Sequence, residues 1–167
     1  MNENEQKFLD FYDKSATKIY RYVYFRVGSE EVAQDLASEA FLRTWRYLKE
    51  GKFIGNLSAM TYEVCRNLIS DYFRINRKLP ISLEEISELN LNISESGLVR
   101  ETEIKADLDL IRRHIKLIKD DYQDLIIWRY IEGLNTAEIA QILDKSEGSI
   151  RTSLSRALAA LKKAVED

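Results

Sequence analysis

The sequence predicts an all-α protein that consists of two small helical domains joined by an acidic linker. Strong helix formers dominate the 167 residues, and a single proline and six glycines leave few helix breaks. Apolar residues recur at steps of three or four over most of the chain, which is the period of one helical face. Charge changes abruptly along the chain, which predicts domains at residues 1–79 and 104–167 and a linker at 80–103.

Start and stop signals predict the first two helices. A helix over residues 5–27 should end before Gly28, because glycine readily adopts the left-handed conformation that terminates helices. Ser29 is then the expected N-cap of a second helix, which extends to about Glu50. Gly51 ends this second helix.

A loop over residues 51–57 should lead into the third helix, since two glycines and an asparagine are typical of a loop. The helix is predicted from about Ser58 to Arg77. Pro80 limits it, because the residue before a proline avoids helical backbone. The apolar spacing predicts a buried face made of Tyr62, Cys65, Leu68, Ile69, Tyr72 and Phe73.

The segment over residues 80–103 has a different character. It contains six glutamates and one arginine among serines and asparagines, with a net charge of −5. Such a composition favours a solvated linker.

Helical periodicity resumes near Glu101 and continues to about Lys119. Asp120 or Asp121 is then expected to cap a further helix that Gly133 ends.

Residues 135–164 predict two short helices with a tight break, a helix-turn-helix. Asn135 and Glu138 have the spacing of a capping box, and Ser146 is the expected N-cap of the second helix. The small residues Ala140 and Gly148 near the break favour this motif over an ordinary helical hairpin with a solvated basic face. The polar face of the second helix carries Arg151, Thr152, Ser155, Arg156 and Lys162. A short helix of this kind fits the major groove of DNA.

The distribution of charge also points to a polyanion. The whole chain has a net charge of −3, yet residues 66–78 have a net charge of +3 and residues 145–163 of +4. One basic patch lies in each predicted domain. This arrangement suggests two separate contacts to one nucleic acid.

Several other classes of function lack the residues that they need. The only cysteine is Cys65, so the sequence allows no internal disulfide, and with one histidine, His114, it offers no cluster with zinc-ligand spacing. Neither a nucleophile signature nor a glycine-rich phosphate loop is present, so we expect neither an enzyme nor a cofactor. No apolar run is long enough to span a membrane and no signal peptide opens the chain, which predicts a cytoplasmic protein without membrane insertion.

From about Phe8 to Val165, the order of these parts resembles a bacterial sigma factor of the extracytoplasmic-function type. Residues 34–41, QDLASEAF, with Trp45 are similar to the acidic helix with which that family docks on the clamp helices of the RNA polymerase β′ subunit. Residues 138–140, 148–151 and 156–157 are similar to its promoter-reading helix-turn-helix. The order and separation of the two stretches carry the resemblance.

The resemblance implies a role for three sets of residues. The polymerase-binding set comprises Asp35, Ser38, Glu39, Phe41 and Trp45. The set that contacts the minus-thirty-five element comprises Lys145, Ser149, Arg151, Thr152, Ser155 and Arg156. The set near a flipped base of the minus-ten element comprises Asn56, Met60, Tyr62, Arg66, Asn67 and Arg74. The resemblance also implies three partners: core RNA polymerase (through its β′ clamp helices and β flap), promoter DNA and an anti-sigma factor.

The sequence departs from the family pattern at several functional positions, among them Ser153 and Leu158, which replace residues that are often basic. Ser38 stands where glutamine is usual, and Met60-Thr61 stands where a tryptophan-leucine pair is common. The alternative interpretation is a stand-alone helix-turn-helix regulator whose N-terminal helices sense a ligand or dimerise. Such a protein would bind its operator tightly without polymerase.

Overall fold

The computed structural model describes residues 2–52, 55–76 and 99–167, with the backbone alone for residues 99–105. Its helices are α1 (Glu3–Val27), α2 (Glu30–Lys49), α3 (Leu57–Asn76), α4 (Val99–Ile115), α5 (Asp120–Ile126), a π-helical turn (Ile127–Ile131), α6 (Thr136–Leu143) and α7 (Glu147–Glu166). The described residues contain no β-strand. The all-α prediction is therefore confirmed.

Local signals position the first helices as predicted. Gly28 has a left-handed φ of 80°, and its N–H donates to the carbonyl of Tyr24. The Ser29 side chain accepts from the N–H of Val32 and so caps α2. Asn2 caps α1 in the same way, which explains why this helix begins earlier than predicted.

The predicted linker lies mostly outside the described residues, as do Arg77 and Pro80, with which we expected α3 to end. The last residues of that predicted linker, 99–103, have helical backbone and open α4.

Two predictions near the start of α5 are wrong. Helix α4 ends at Ile115 rather than near Lys119, because a turn follows in which the N–H of Ile118 donates to the Ile115 carbonyl. Neither Asp120 nor Asp121 is the N-cap. Lys119 occupies that position with extended backbone and no side-chain cap, and Asp120 is the first residue of α5.

The π-helical turn was not predicted. The N–H of Glu132 donates to the carbonyl of Ile127 at 2.8 Å, and Gly133 then reverses the chain with a φ of 74°. Trp128 and Glu132 are both buried here. Single π-helical turns of this kind are frequent at functional sites.

The predicted caps of the helix-turn-helix are confirmed, whereas the prediction for its turn is corrected. Asn135 and Glu138 form both hydrogen bonds of the capping box, and Ser146 caps α7 by accepting from the N–H of Ser149. The turn itself depends on Asp144, which has a left-handed φ of 52°. Gly148 lies inside the first turn of α7 and supplies no special backbone conformation.

The helices pack into two units that contact each other. Helices α1, α2 and α3 form an N-terminal bundle, and α4 to α7 with the π-helical turn form a C-terminal domain. One apolar core runs through both units. At their junction Trp128 is fully buried, with its ring centroid 5.3 Å from that of Tyr22 and 6.0 Å from that of Tyr62. No pattern in the sequence predicted this junction.

Candidate nucleic-acid interface

Helix α7 presents a polar stripe on a firmly anchored scaffold. Its apolar side is buried through Ile150, Leu154 and Ala157, which fixes the rotation of the helix about its axis. Four predicted residues therefore face solvent within an arc of about 140°. They are Arg151, Thr152, Ser155 and Arg156. The predicted contacts to the minus-thirty-five element thus share one accessible surface.

The cations on this surface are free to bind an anion. Within the described ranges, neither Arg151 nor Arg156 has a hydrogen bond or an ion pair with another side chain. Lys145 and Ser149 are exposed at the start of the same surface. Lys145 and Arg156 also line a cleft of about 150 Å³ together with Arg66 of α3. The face combines positive charge with hydroxyl groups, as contacts to phosphates and base edges require.

Three residues of the predicted minus-ten set are engaged with the C-terminal domain. Asn56 donates to the side-chain oxygen of Gln141 at 2.6 Å. Tyr62 is only 2% exposed, and Arg66 lies 3.4 Å from the Asp121 carboxylate. The Tyr62 ring therefore lies in the core beside Trp128 and not on the surface of α3.

The other three residues of the predicted minus-ten set are more accessible to solvent. Asn67 and Arg74 are exposed, and Arg74 pairs with Asp71 one turn away at 3.2 Å. Met60 is half-buried. The adjacent Thr61 is fully buried and shares a 2.9 Å hydrogen bond with Thr44, so its hydroxyl joins α3 to α2.

The predicted polymerase-binding residues divide by exposure. Asp35 and Ser38 are exposed, and Glu39 is half-buried and accepts from Arg43 at 2.9 Å. Phe41 is only 6% exposed, and Trp45 is half-buried beside Phe8, where it packs. The polar residues are thus presented to solvent, while the aromatic pair supports the helix from beneath.

The sequence did not reveal a buried polar cluster between the two units. Asp124 accepts from the Tyr22 hydroxyl at 2.7 Å and pairs with Arg26, and Glu132 pairs with Arg21. The partners lie about a hundred residues apart, so no local pattern could have connected them. The available signal was two acidic residues in a largely apolar stretch, residues 124–132.

Burial sets the protonation behaviour of this cluster. It raises the pKa of Tyr22 well above its ordinary value, and the nearby Asp124 carboxylate adds to that shift, so the hydroxyl remains a donor at neutral pH. Burial also raises the pKa of Asp124, while the Arg26 guanidinium and the Tyr22 hydrogen bond act in the opposite direction. The hydroxyl and the guanidinium thus offset part of the cost of burying a carboxylate.

Two family profiles match the chain: Sigma-70 region 2 over residues 11–79 and Sigma-70 region 4 over residues 108–161. The chain is 32% identical over 160 residues to the ECF RNA polymerase sigma factor BldN of Streptomyces coelicolor, covering 93% of this chain and 59% of that protein's length. It is 27% identical over 173 residues to the ECF RNA polymerase sigma factor SigW of Bacillus subtilis, with coverages of 98% and 91%.

A solved structure shares the fold. The sigma factor RpoE of Bartonella quintana, in complex with the anti-sigma factor NepR, superposes with a TM-score of 0.60 at 15% identity, over 94% of this chain and 97% of that one. In the part of the chain that is described, no helix is long and apolar enough to cross a membrane. The two profiles in this order, together with these relatives, show that the chain belongs to the sigma-70 family, as a sigma factor of the extracytoplasmic-function type.

Proposed function

We propose that this sigma factor binds core RNA polymerase and directs it to promoters. The proposal rests mainly on the exposed stripe of Arg151, Thr152, Ser155 and Arg156 on α7, whose two arginines have no ion-pair partner within the described residues. Such a stripe suits the minus-thirty-five element, because guanidinium groups bind guanine edges and phosphates while hydroxyl groups can contact either.

The N-terminal bundle has two further roles in this proposal. Asp35, Ser38 and Glu39 on α2 bind the β′ clamp helices, and the start of α3 captures a flipped base of the minus-ten element. The segment between α3 and α4 joins the two units, and the C-terminal domain also contacts the β flap. Phe41 and Trp45 maintain the shape of the docking helix, since both pack under it.

Two more proposals come from the family to which the chain belongs. Its members are transcription initiation factors rather than enzymes, and we extend that statement to this chain. The Bartonella protein is held by an anti-sigma factor, and we propose a partner of the same class here.

Run-off transcription tests this function. Purified core polymerase, genomic promoter fragments and the chain are combined, and transcripts of defined length are expected only when all three are present. Polymerase alone and polymerase with a second, unrelated sigma factor are the controls. A chain that binds DNA tightly by itself, ignores core polymerase and yields no transcript would instead be a stand-alone helix-turn-helix regulator.

A further inference from the structure

A cleft of about 150 Å³ lies where α5 and the helix-turn-helix meet α3. Among the described residues, four cationic side chains line it: Arg66, Lys119, Lys145 and Arg156. The same lining contains the carboxylates of Asp121 and Asp124, so the cations exceed the carboxylates by two charges. The cleft is therefore positive overall.

The two carboxylates of this cleft already have arginine partners. Arg66 lies 3.4 Å from the Asp121 carboxylate and 3.7 Å from one oxygen of Asp124. The other oxygen of Asp124 pairs with the buried Arg26. Neither carboxylate is thus left to neutralise the remaining cations.

The remaining three cations are Lys119, Lys145 and Arg156. Within the described ranges none of them has an ion pair. Lys119 only places its ammonium 4.5 Å from the ring centroid of Tyr122. All three are exposed, which puts them at the mouth of the cleft. Like charges that line one cleft repel each other, and an anion between them would remove that repulsion.

Ser153 keeps this cleft open and adds a hydroxyl group. It lies one turn before Arg156 on the same side of α7, is half-buried, and has no hydrogen-bond partner within the described part of the chain. A basic residue is often found at this position of the family, and such a longer side chain would fill part of the cleft. Leu125 and Leu143 complete the wall with apolar surface, which strengthens electrostatic contacts by excluding water.

The size and chemistry of the cleft favour a phosphoryl group as its ligand. Since a water molecule takes up about 30 Å³ in the liquid, 150 Å³ holds one tetrahedral phosphoryl group and not a base and a sugar as well. Such a group directs several oxygens outward and so can meet three cations, whereas a planar carboxylate has fewer oxygens to offer. A guanidinium binds phosphoryl oxygens through two parallel N–H bonds, and an ammonium acts as a point charge.

We propose that this cleft binds the phosphoryl group of a small anion, either free phosphate or the terminal phosphate of a nucleotide. Lys119, Lys145 and Arg156 supply the positive charge, and the Ser153 hydroxyl donates a hydrogen bond. The bound group occupies Lys145 and Arg156, which are also proposed contacts of the minus-thirty-five element. The site goes beyond the proposed function and does not depend on it, because neither polymerase nor a promoter takes part.

Isothermal titration calorimetry of the full chain at constant ionic strength, with chloride as the supporting anion, tests the site. The probes are inorganic phosphate, ADP and adenosine. Phosphate and ADP should each bind saturably with one site per chain, and adenosine should not bind. Equal affinities for phosphate and ADP identify the free anion as sufficient, whereas at least about tenfold tighter binding of ADP identifies a nucleotide as the source of the phosphoryl group.

Three variants separate a formed site from diffuse attraction. Lys145→Ala and Arg156→Ala each remove one charge-assisted contact and should weaken phosphate binding by about tenfold or more. Ser153→Leu changes no charge but fills the cleft, and it should weaken binding to a similar extent. Lys14→Ala is the matched control, since it removes the same charge from an exposed part of α1, and its affinity should stay within about twofold of the parent.

Two results would overturn the site. Absence of saturable binding by both phosphate and ADP would leave these cations to the backbone phosphates of DNA. Equal losses in Lys145→Ala and Lys14→Ala, with Ser153→Leu unchanged, would show diffuse attraction in place of a cleft. Far-ultraviolet circular dichroism must show parental helicity, and should Ser153→Leu fail to fold, the comparison of Lys145→Ala with Lys14→Ala decides, because both lysines are exposed.

Discussion

Replacement of Arg151 and Arg156 by alanine should abolish promoter-specific initiation and leave polymerase binding intact. Both side chains are exposed and form no ion pair within the described ranges, so the free energy of unfolding should change by less than about 0.5 kcal/mol for each substitution. Any loss of activity then reflects a lost contact to DNA rather than a damaged fold.

The size of the effect follows from the geometry of α7. The two arginines lie five residues apart, separated by about 7.5 Å along the helix axis, so they can reach different nucleotides. Each specific arginine contact contributes roughly 1–3 kcal/mol. Together they predict a loss of about 30-fold to about 20,000-fold in promoter-specific transcription. If both arginines bind phosphates instead, the double variant loses about two phosphate contacts. The logarithm of its binding constant should then fall less steeply with the logarithm of the salt concentration.

The assay is run-off transcription with core polymerase, combined with a pull-down of polymerase by the tagged chain. Lys14→Ala with Lys18→Ala is the matched control, because it removes the same charge from an exposed part of α1, away from the polar face of α7. The control should keep activity within about threefold, since non-specific attraction alone is lost. Near-parental transcription by the Arg151 and Arg156 variant, or an equal loss of polymerase binding, would refute the assignment of α7 as the promoter reader.

Three further predictions concern the other parts of the chain. Glu39→Lys should weaken polymerase binding in the pull-down by about tenfold or more, since it reverses the charge on the docking face; unchanged binding would remove Glu39 from that face. Asn135→Ala should lower the free energy of unfolding by about 1 kcal/mol in urea denaturation, because its side chain accepts the capping hydrogen bond from the N–H of Glu138, whereas Asn135→Ser should retain most of the stability. Burial raises the pKa of the Cys65 thiol, so Ellman's reagent at pH 8 should react only after denaturant is added, and rapid reaction of the folded chain would contradict its buried position.

Local signals were sufficient to predict much of the fold. Gly28 and Ser29 divide α1 from α2 because a left-handed backbone and a side-chain cap act within a few residues. The Asn135 capping box and the apolar period of α7 are equally local. Since the four proposed contacts of α7 to the minus-thirty-five element lie on one face of one helix, their common surface followed from helical periodicity alone.

Features that depend on longer-range packing could not be predicted in the same way. No cap or glycine marks the end of α4 at Ile115 or the start of the π-helical turn. Both are set by how the chain buries Ile118 and Trp128. Periodicity predicted Tyr62 as core, whereas the family resemblance implied a DNA contact for the same residue. Only the packing of Trp128 shows that the C-terminal domain covers it in this arrangement.

The sequence by itself determined the helices, the helix-turn-helix and the two separate basic segments, because caps, periodicity and composition operate over one or two helical turns. The tertiary structure alone decided that Asp124 and Glu132 meet Arg26 and Arg21. Those partners are about a hundred residues apart, and the stability of a buried ion pair depends on burial and on the positions of both charges. Which proposed DNA contacts are covered therefore follows from how the two units pack.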